Sequence, residues 1–321
     1  MTYTISRRQA LGVLAAPIVA GCRGLDMLGP TFQSASANGA LSAAATGAVT
    51  LIGAGDQHAV ATNNRKYRQQ TAAMVKSVLD ADPSAWAFNA GDLAYKGTAQ
   101  EYTDCYDESW GQFRERTLFT LGNHDRLSDP TAASYYRYTG AERYYARTLG
   151  TWRCYVLNSE SAHMGGADPA EQTAWLKQDI ARHAGFHIMA MWHIPMFSNV
   201  CAMHKKAMTW PGRVGAWWQV LQDNGAEFVL CGHAHKWERF RRMLRNGSAS
   251  SRGIRQFVVG TGGGSTMGVL TRHPLCEKFV VARGVARFDL LPDRYRWTFT
   301  DTAGIVRDSG SQLCRKVVQM V

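Results

Sequence analysis

The sequence predicts an α/β fold built on a parallel sheet, and three observations carry that expectation. Apolar runs of strand length alternate with segments of helical periodicity through the first half of the chain. Each of the first three runs stops at a glycine followed by acidic or imidazole side chains, so strand, polar strand end and helix recur in turn. The composition is that of a globular protein: 321 residues, 45% apolar and 11% aromatic, enough for one large domain or two small ones.

Taken in order, residues 49–53 read as a buried strand ending in Gly55-Asp56-Gln57-His58. Residues 67–79 place Met74, Val75, Val78 and Leu79 at helical spacing. The next strand, 85–90, ends in Gly91-Asp92-Leu93-Ala94-Tyr95. A helix-like stretch over 101–113 leads into the strand 116–121. Gly122 then lets the backbone turn sharply into Asn123-His124-Asp125. The five tyrosines between Tyr135 and Tyr145 read as packing and surface. Residues 152–157 form a further strand and 170–183 an amphipathic helix. The strand 186–192 ends at His193-Ile194-Pro195. A loop carries Asn199, Cys201, His204, Lys205 and Lys206, and a helix follows through Trp217, Trp218 and Leu221. The strand 227–231 ends in Gly232-His233-Ala234-His235. A polar surface loop over 245–253, a strand over 256–260 and antiparallel-looking strands over 279–291 and 295–300 close the reading.

The N-terminus reads as an address. Ser6-Arg7-Arg8-Gln9-Ala10-Leu11 sets an arginine pair before an apolar run, 10–21, too short to span a bilayer. Val19-Ala20-Gly21-Cys22 resembles a bacterial lipobox, which implies lipidation of Cys22 and a membrane anchor. The expected organisation is a twin-arginine export signal over 1–22, a flexible Ser/Ala/Gly/Asn tether over 23–47 and one folded domain over 48–321. That places the protein in the periplasm or at the cell surface. Beyond the N-terminus no apolar run is long enough for a membrane span. Cys105, Cys154, Cys201, Cys231, Cys276 and Cys314 permit disulfides without fixing a pairing, and Cys231, in a strand-like run, reads as a buried thiol. No CxxC pair occurs, which speaks against a zinc ribbon or a thioredoxin-type site. The formal charge of +11, from 36 basic and 25 acidic residues, fits an anionic partner or plain solubility.

Strand ends thus carry Asp56 and His58, Asp92, Asn123 and His124, His193, and His233 and His235. One strand-end histidine is ordinary; recurrence along one sheet edge, where open α/β sheets bind ligands, is not. Carboxylate, imidazole and amide oxygen together suit Fe, Mn, Zn or Co rather than calcium or a thiolate cluster. A shared aspartate can bridge two ions about 3.5–4 Å apart, the spacing of two-metal phosphoryl-transfer sites.

In order, Gly55-Asp56-x-His58, Gly91-Asp92, Gly122-Asn123-His124-Asp125, His193 and Gly232-His233-x-His235 resemble the motifs of calcineurin-like metallophosphoesterases. Asp92-Leu93-Ala94-Tyr95, the run from Gly232 to Arg239, and Phe257-Val258-Val259-Gly260-Thr261-Gly262-Gly263 look like the purple acid phosphatase branch, and most like its single-domain bacterial members. The similarity spans about 49–309. It implies a four-layer α/β/β/α sandwich, two mixed sheets flanked by helices. It further implies that Asp56, Asp92 and His235 hold one metal ion, that Asp92, Asn123, His193 and His233 hold a second, and that Asp92 bridges. His124, oriented by Asp125, would contact the phosphate and protonate the leaving oxygen, with His204 assisting as a substrate-facing acid. Read locally, Asp125 caps a turn and His204 is a solvated loop residue.

The chain departs from the branch in one respect. The purple enzymes have glycine where His58 stands and use the tyrosine matching Tyr95 on iron; both residues are present here. Either can complete the first site, and the two ions remain Fe, Mn or Zn. The expected activity is that of an exported phosphomonoesterase using metal-bound hydroxide. A phosphodiesterase or nucleotidase, or an inactive metal-stabilised surface binding protein, is the alternative. The expected partners are an anionic phosphoester and, through the lipid anchor, a membrane, with no specific nucleic acid.

Overall fold

The structure, a computed structural model, describes residues 47–60, 64–160, 169–209 and 211–315. The expected export signal, with Arg7, Arg8 and Cys22, and the tether up to residue 46 lie outside the described residues. The first half of the chain supplies β1 (Val49–Gly53), α1 (Arg65–Ala81), β2 (Trp86–Asn89), β3 (Thr117–Phe119), α2 (Ala133–Thr139), β4 (Tyr145–Leu149) and β5 (Trp152–Val156). The second half opens with α3 (Pro169–Arg182), β6 (His187–Met191), β7 (Val200–Cys201), β8 (Lys206–Ala207), α4 (Pro211–Asp223) and β9 (Phe228–Cys231). It ends with β10 (Trp237–Met243), β11 (Ile254–Val259), β12 (Val269–Thr271), β13 (Cys276–Val280), β14 (Gly284–Leu290), β15 (Arg294–Asp301) and β16 (Val306–Leu313).

Two mixed sheets result, ordered β16-β15-β14-β1-β2-β3 and β13-β10-β11-β9-β6-β5-β4. The predicted parallel core is present in both: β1, β2 and β3 run parallel, as do β5, β6, β9 and β11. Antiparallel strands complete each sheet, β14 beside β1 and β10 beside β11. Helix α1 lies on β14, β1 and β2, burying Ala72, Val75 and Leu79 at a helical period.

The two faces of β6 show how the layers are built. Met189 and Met191 enter the core between the sheets, while Ile188, Ala190 and Trp192 pack under Leu176, Ile180, Val214, Trp217 and Leu221 of α3 and α4. Burial on both faces accounts for the near-continuous apolar runs of these strands. The inter-sheet core is aromatic. Phe228 stacks on Phe288 at 5.3 Å and touches Trp152, Phe257 and Tyr295, so both sheets close on one ring cluster. Among the described residues no helix is long and apolar enough to cross a membrane, and their six cysteines are free thiols, Cys231 buried among them.

Three expectations need correction. The helix expected over 101–113 is broken into Ala99–Glu101, a wide turn at Tyr102–Tyr106 and a tight helix at Trp110–Arg116. Burial of Tyr102, Tyr106, Trp110 and Phe113 outranks helical regularity there. The strand expected over 279–291 is two strands: β13 pairs with β10, and β14 pairs with β1, so the chain changes sheet between them. The loop after Ser198 contains β7 and β8, which join β12 in a small third sheet. Strand β16 went unread because its sequence, VRDSGSQL, has no apolar alternation; it is an edge strand held by pairing with β15. Phe228→Ala should lower unfolding free energy by about 3–5 kcal/mol, measured by denaturant titration, because it empties the junction between the sheets.

Candidate metal centre

Parallel strands bring their carboxyl ends to one edge, so the loops after β1, β2, β3, β6 and β9 meet there. The side chains predicted from the sequence converge at that edge. Asp92 Oδ2 lies 3.2 Å from His58 Nε2 and 3.2 Å from His193 Nε2. Asp56 Oδ1 lies 3.3 Å from His235 Nε2, and His193 Nε2 lies 3.1 Å from Asn123 Oδ1. Three overlapping groups have ligand atoms within 4.8 Å of one another: Asp56, His58 and His235; His58, Asp92 and His124; Asp92, His193 and His233. Asp92 and His58 each belong to two of them.

The backbone is bent to achieve this. Asp56, His58, Asp92 and His233 have φ of 62°, 48°, 56° and 67°, a left-handed conformation uncommon for side-chain-bearing residues. Such strain persists where the surroundings over-determine it and gathers at functional sites. The His233 N–H donates to Asp56 Oδ2 at 2.9 Å and the His124 N–H to Asp92 Oδ1 at 2.8 Å, so neighbouring motifs fix the carboxylates. Gly122 and Gly232 are required by contact: a Cβ on Gly122 would overlap the Asp92 carboxylate, and one on Gly232 would stand 2.6 Å from Asp56 Oδ2.

Ring orientation follows a single pattern. His193 Nδ1 donates to the Ala90 carbonyl (2.8 Å) and His235 Nδ1 to the Ser265 carbonyl (2.5 Å), leaving each Nε2 facing a carboxylate. His124 Nδ1 donates to the Tyr95 carbonyl at 2.7 Å, so its Nε2 is left to hold or give a proton. Imidazoles that bind metals are fixed in this manner, by a carbonyl on the far nitrogen. Nothing in the sequence marked Ala90, Ser265 or Tyr95 for this task, because a carbonyl partner has no side-chain signature.

Electrostatics reflects two acids and several imidazoles sealed from water. Burial opposes charge on Asp56, yet the hydrogen bond and charge of His235 hold its carboxyl below the usual range. Asp92 is likewise desolvated, but the charge of His193 and bonds from His193 and His58 keep it well below that range. Desolvation works against the His193 cation, and the Asp92 carboxylate overrides it, pushing His193 up to about 10. Burial, with the His193 charge, presses His233 down to about 3. Anions and lone pairs facing one small volume form a donor set that a cation satisfies, and the mixture of O and N donors fits Fe, Mn or Zn.

Two expected roles meet a different geometry. Asp125 is bonded to the Gly122 N–H (3.0 Å), the Ala94 N–H (3.1 Å) and the Tyr102 hydroxyl (3.0 Å), while the His124 ring is oriented by Tyr95. The carboxylate therefore braces the turn, which is the local reading of Asp125, and burial with the Asp92 charge raises it to about 7. His204 lies at the exposed tip between β7 and β8, and among the described residues no hydrogen bond or ring contact joins it to the cluster. Tyr95 is partly exposed, its ring stacked on His124 at 5.2 Å and edge-on to His58 at 5.6 Å.

A fourth grouping, His187, Glu227 and Cys314, sits at the opposite strand ends. There Arg242 Nη2 reaches Glu227 Oε2 and the Arg315 N–H reaches Oε1 at 2.7 Å, so guanidinium and amide already satisfy the carboxylate. Gly122→Ala should weaken metal retention at the strand-end centre about 10–100-fold, read as ions per chain after dialysis against graded chelator, because the new methyl displaces Asp92.

Several solved structures share this fold. A purple acid phosphatase from yellow lupin (Lupinus luteus) superposes with a TM-score of 0.64 at 15% identity, over 82% of this chain and 53% of that one. This chain therefore spans about half the length of the lupin protein. GAP50, described as the anchor in the inner membrane complex of Plasmodium, superposes with a TM-score of 0.67 at 11% identity, over 84% and 90%. PhoD gives 0.51 at 15%, over 83% and 68%. Identities this low carry the fold alone. A search of curated protein sequences gave no significant match. The family model described as calcineurin-like phosphoesterase matches residues 50–237, more than half of the chain and every strand-end motif from Asp56 to His235. By that match the chain belongs to the calcineurin-like phosphoesterases.

Proposed function

We propose that the protein is an exported phosphomonoesterase with a two-metal centre. The observation that carries this reading is His124, tethered at Nδ1 by the Tyr95 carbonyl and grouped within ligand distance of Asp92 and His58. One ion would be held by Asp56, His58, Asp92 and His235, and the other by Asp92, Asn123, His193 and His233, with Asp92 common to both. When bound, such ions supply Lewis acidity, activating water and neutralising charge on the transferred phosphoryl group.

The side chains account for the rest. Water adds to phosphorus, the P–O ester bond breaks, and the alcohol leaves with a proton from His124 Nε2, giving orthophosphate. Burial of Asp56 and Asp92 keeps bulk water from the cage that would hold the ions. A monoester dianion, with more charge than a diester, suits this setting and the formal charge of +11. Export through the twin-arginine route and lipidation at Cys22 rest on Ser6-Arg7-Arg8 and Val19-Ala20-Gly21-Cys22.

The full chain reconstituted with Mn, Zn or Fe should hydrolyse p-nitrophenyl phosphate faster than bis-p-nitrophenyl phosphate; the reverse order would overturn the monoester reading. His124→Ala should lower kcat on an alkyl phosphate by about 10²–10⁴-fold with the metal content unchanged. The loss on p-nitrophenyl phosphate should be smaller, because p-nitrophenolate departs without a proton. On iron loading, His58→Ala should release the first ion more readily, while Tyr95→Phe leaves the visible spectrum as it was. A purple band abolished by Tyr95→Phe would reassign that ligand position to the tyrosine.

A further inference from the structure

Four of the nine large apolar side chains that stand exposed among the described residues lie on segments that backbone hydrogen bonds link, directly or through one intervening segment, to residues of the centre. On one side Tyr95, 43% exposed, stacks on His124. Leu127, 59% exposed, donates its N–H to the His124 carbonyl at 3.2 Å. The Ser128 N–H bonds to the Lys96 carbonyl at 2.9 Å, laying Leu127 along the Tyr95-Lys96 segment. On the other side the Met267 N–H donates to the His235 carbonyl at 3.0 Å and the Ala202 N–H to the Gly268 carbonyl at 2.9 Å. The hairpin tip with Met203 (63% exposed) and the strand β12 with Leu270 (59%) therefore hang from His235. His58 joins the two sides, its ring 4.4 Å from His124 and 4.7 Å from His235.

Single exposed apolar residues are ordinary, but a group gathered at the mouth of a charged centre marks a binding surface. We propose that this rim receives the alcohol part of the substrate, and that the substrate class is the phosphomonoester of an apolar alkyl or aryl alcohol. The inference rests on the phosphomonoesterase reading above. The phosphate would be bound through the ions that the strand-end carboxylates and imidazoles would hold, and the apolar chain lies across Tyr95, Leu127, Met203 and Leu270. A polar alcohol such as a sugar would leave these side chains in water and gain nothing from them.

A series of straight-chain alkyl phosphates separates this contact from the chemistry, because leaving-group acidity barely changes from ethyl to octyl. Full burial of each methylene is worth up to about fourfold, so partial cover should raise kcat/KM by at least about tenfold between ethyl and octyl phosphate. Measurements use the full metal-loaded chain below the micelle concentration, and the gain should fall mainly in KM. In the Leu127→Ser, Leu270→Ser double variant the octyl-to-ethyl ratio should drop toward one. The ratio, not the absolute rate, is the readout, so a partly misfolded preparation does not imitate the result. A wild-type ratio near one, or a steep ratio that the double variant leaves intact, would overturn the rim assignment while sparing the hydrolase. Failure of the metal-loaded chain to hydrolyse any member of the series would instead sink the monoesterase reading, and the rim with it.

Discussion

Two carboxylates, Asp56 and Asp92, are taken out of water side by side at the junction of the two sheets, and much of the site follows from keeping them charged there. Removing an ion from water costs several kcal/mol even after relaxation unless partners replace the solvent. Those partners come from far along the chain: His235 and the His233 N–H for Asp56, His58, His193 and the His124 N–H for Asp92. No short stretch of sequence could supply such a set. A two-sheet architecture with parallel strands does, because five strand ends open onto a single edge.

The same demand explains the strained backbone and the glycines. A carboxylate directed back across its own strand end needs the left-handed conformation that Asp56 and Asp92 adopt, and its neighbours must be small enough to admit it. Rigidity comes from behind. Gln256 Oε1 accepts from the Met196 and Phe197 N–H groups, and Glu238 Oε1 accepts from that of Asn199, so β10 and β11 clamp the loop that follows His193. The aromatic core between the sheets, centred on Phe228 and Phe288, then sets how closely the two halves of the site approach. Positioning within a fraction of an ångström is what a two-ion site requires.

Around this rigid cage the mouth is of a different character. The side chains of the proposed rim are apolar, carried on a short hairpin, on β12, on the segment after Asp92 and on the turn after His124 rather than on the central strands. Loops on a fixed scaffold can vary without disturbing the ligands, which is how one fold serves many substrates. In this chain the clustered candidate ligands and the tethered His124 are what go beyond architecture.

Much of the centre was legible in advance, because strand-end Asp, His and Asn residues after glycine form a local pattern with a chemical meaning, and buried strands announce themselves by continuous apolar runs. Asp56, His58, Asp92, Asn123, His124, His193, His233 and His235 are all drawn into that one region. Elements lacking periodicity were not legible: the polar edge strand β16, the split between β13 and β14, and the irregular turns over 99–116. Nor was the division of labour between Asp125 and Tyr95, since a carbonyl's task depends on what folds against it, and every peptide unit has the same carbonyl. Sequence determined which atoms could bind and roughly where each strand would end. Only the tertiary structure decided which nitrogen of each imidazole faces inward, that His58 stands between both groups of candidate ligands, and that His204 stays at the exposed tip between β7 and β8, because these depend on contacts between residues dozens to hundreds of positions apart.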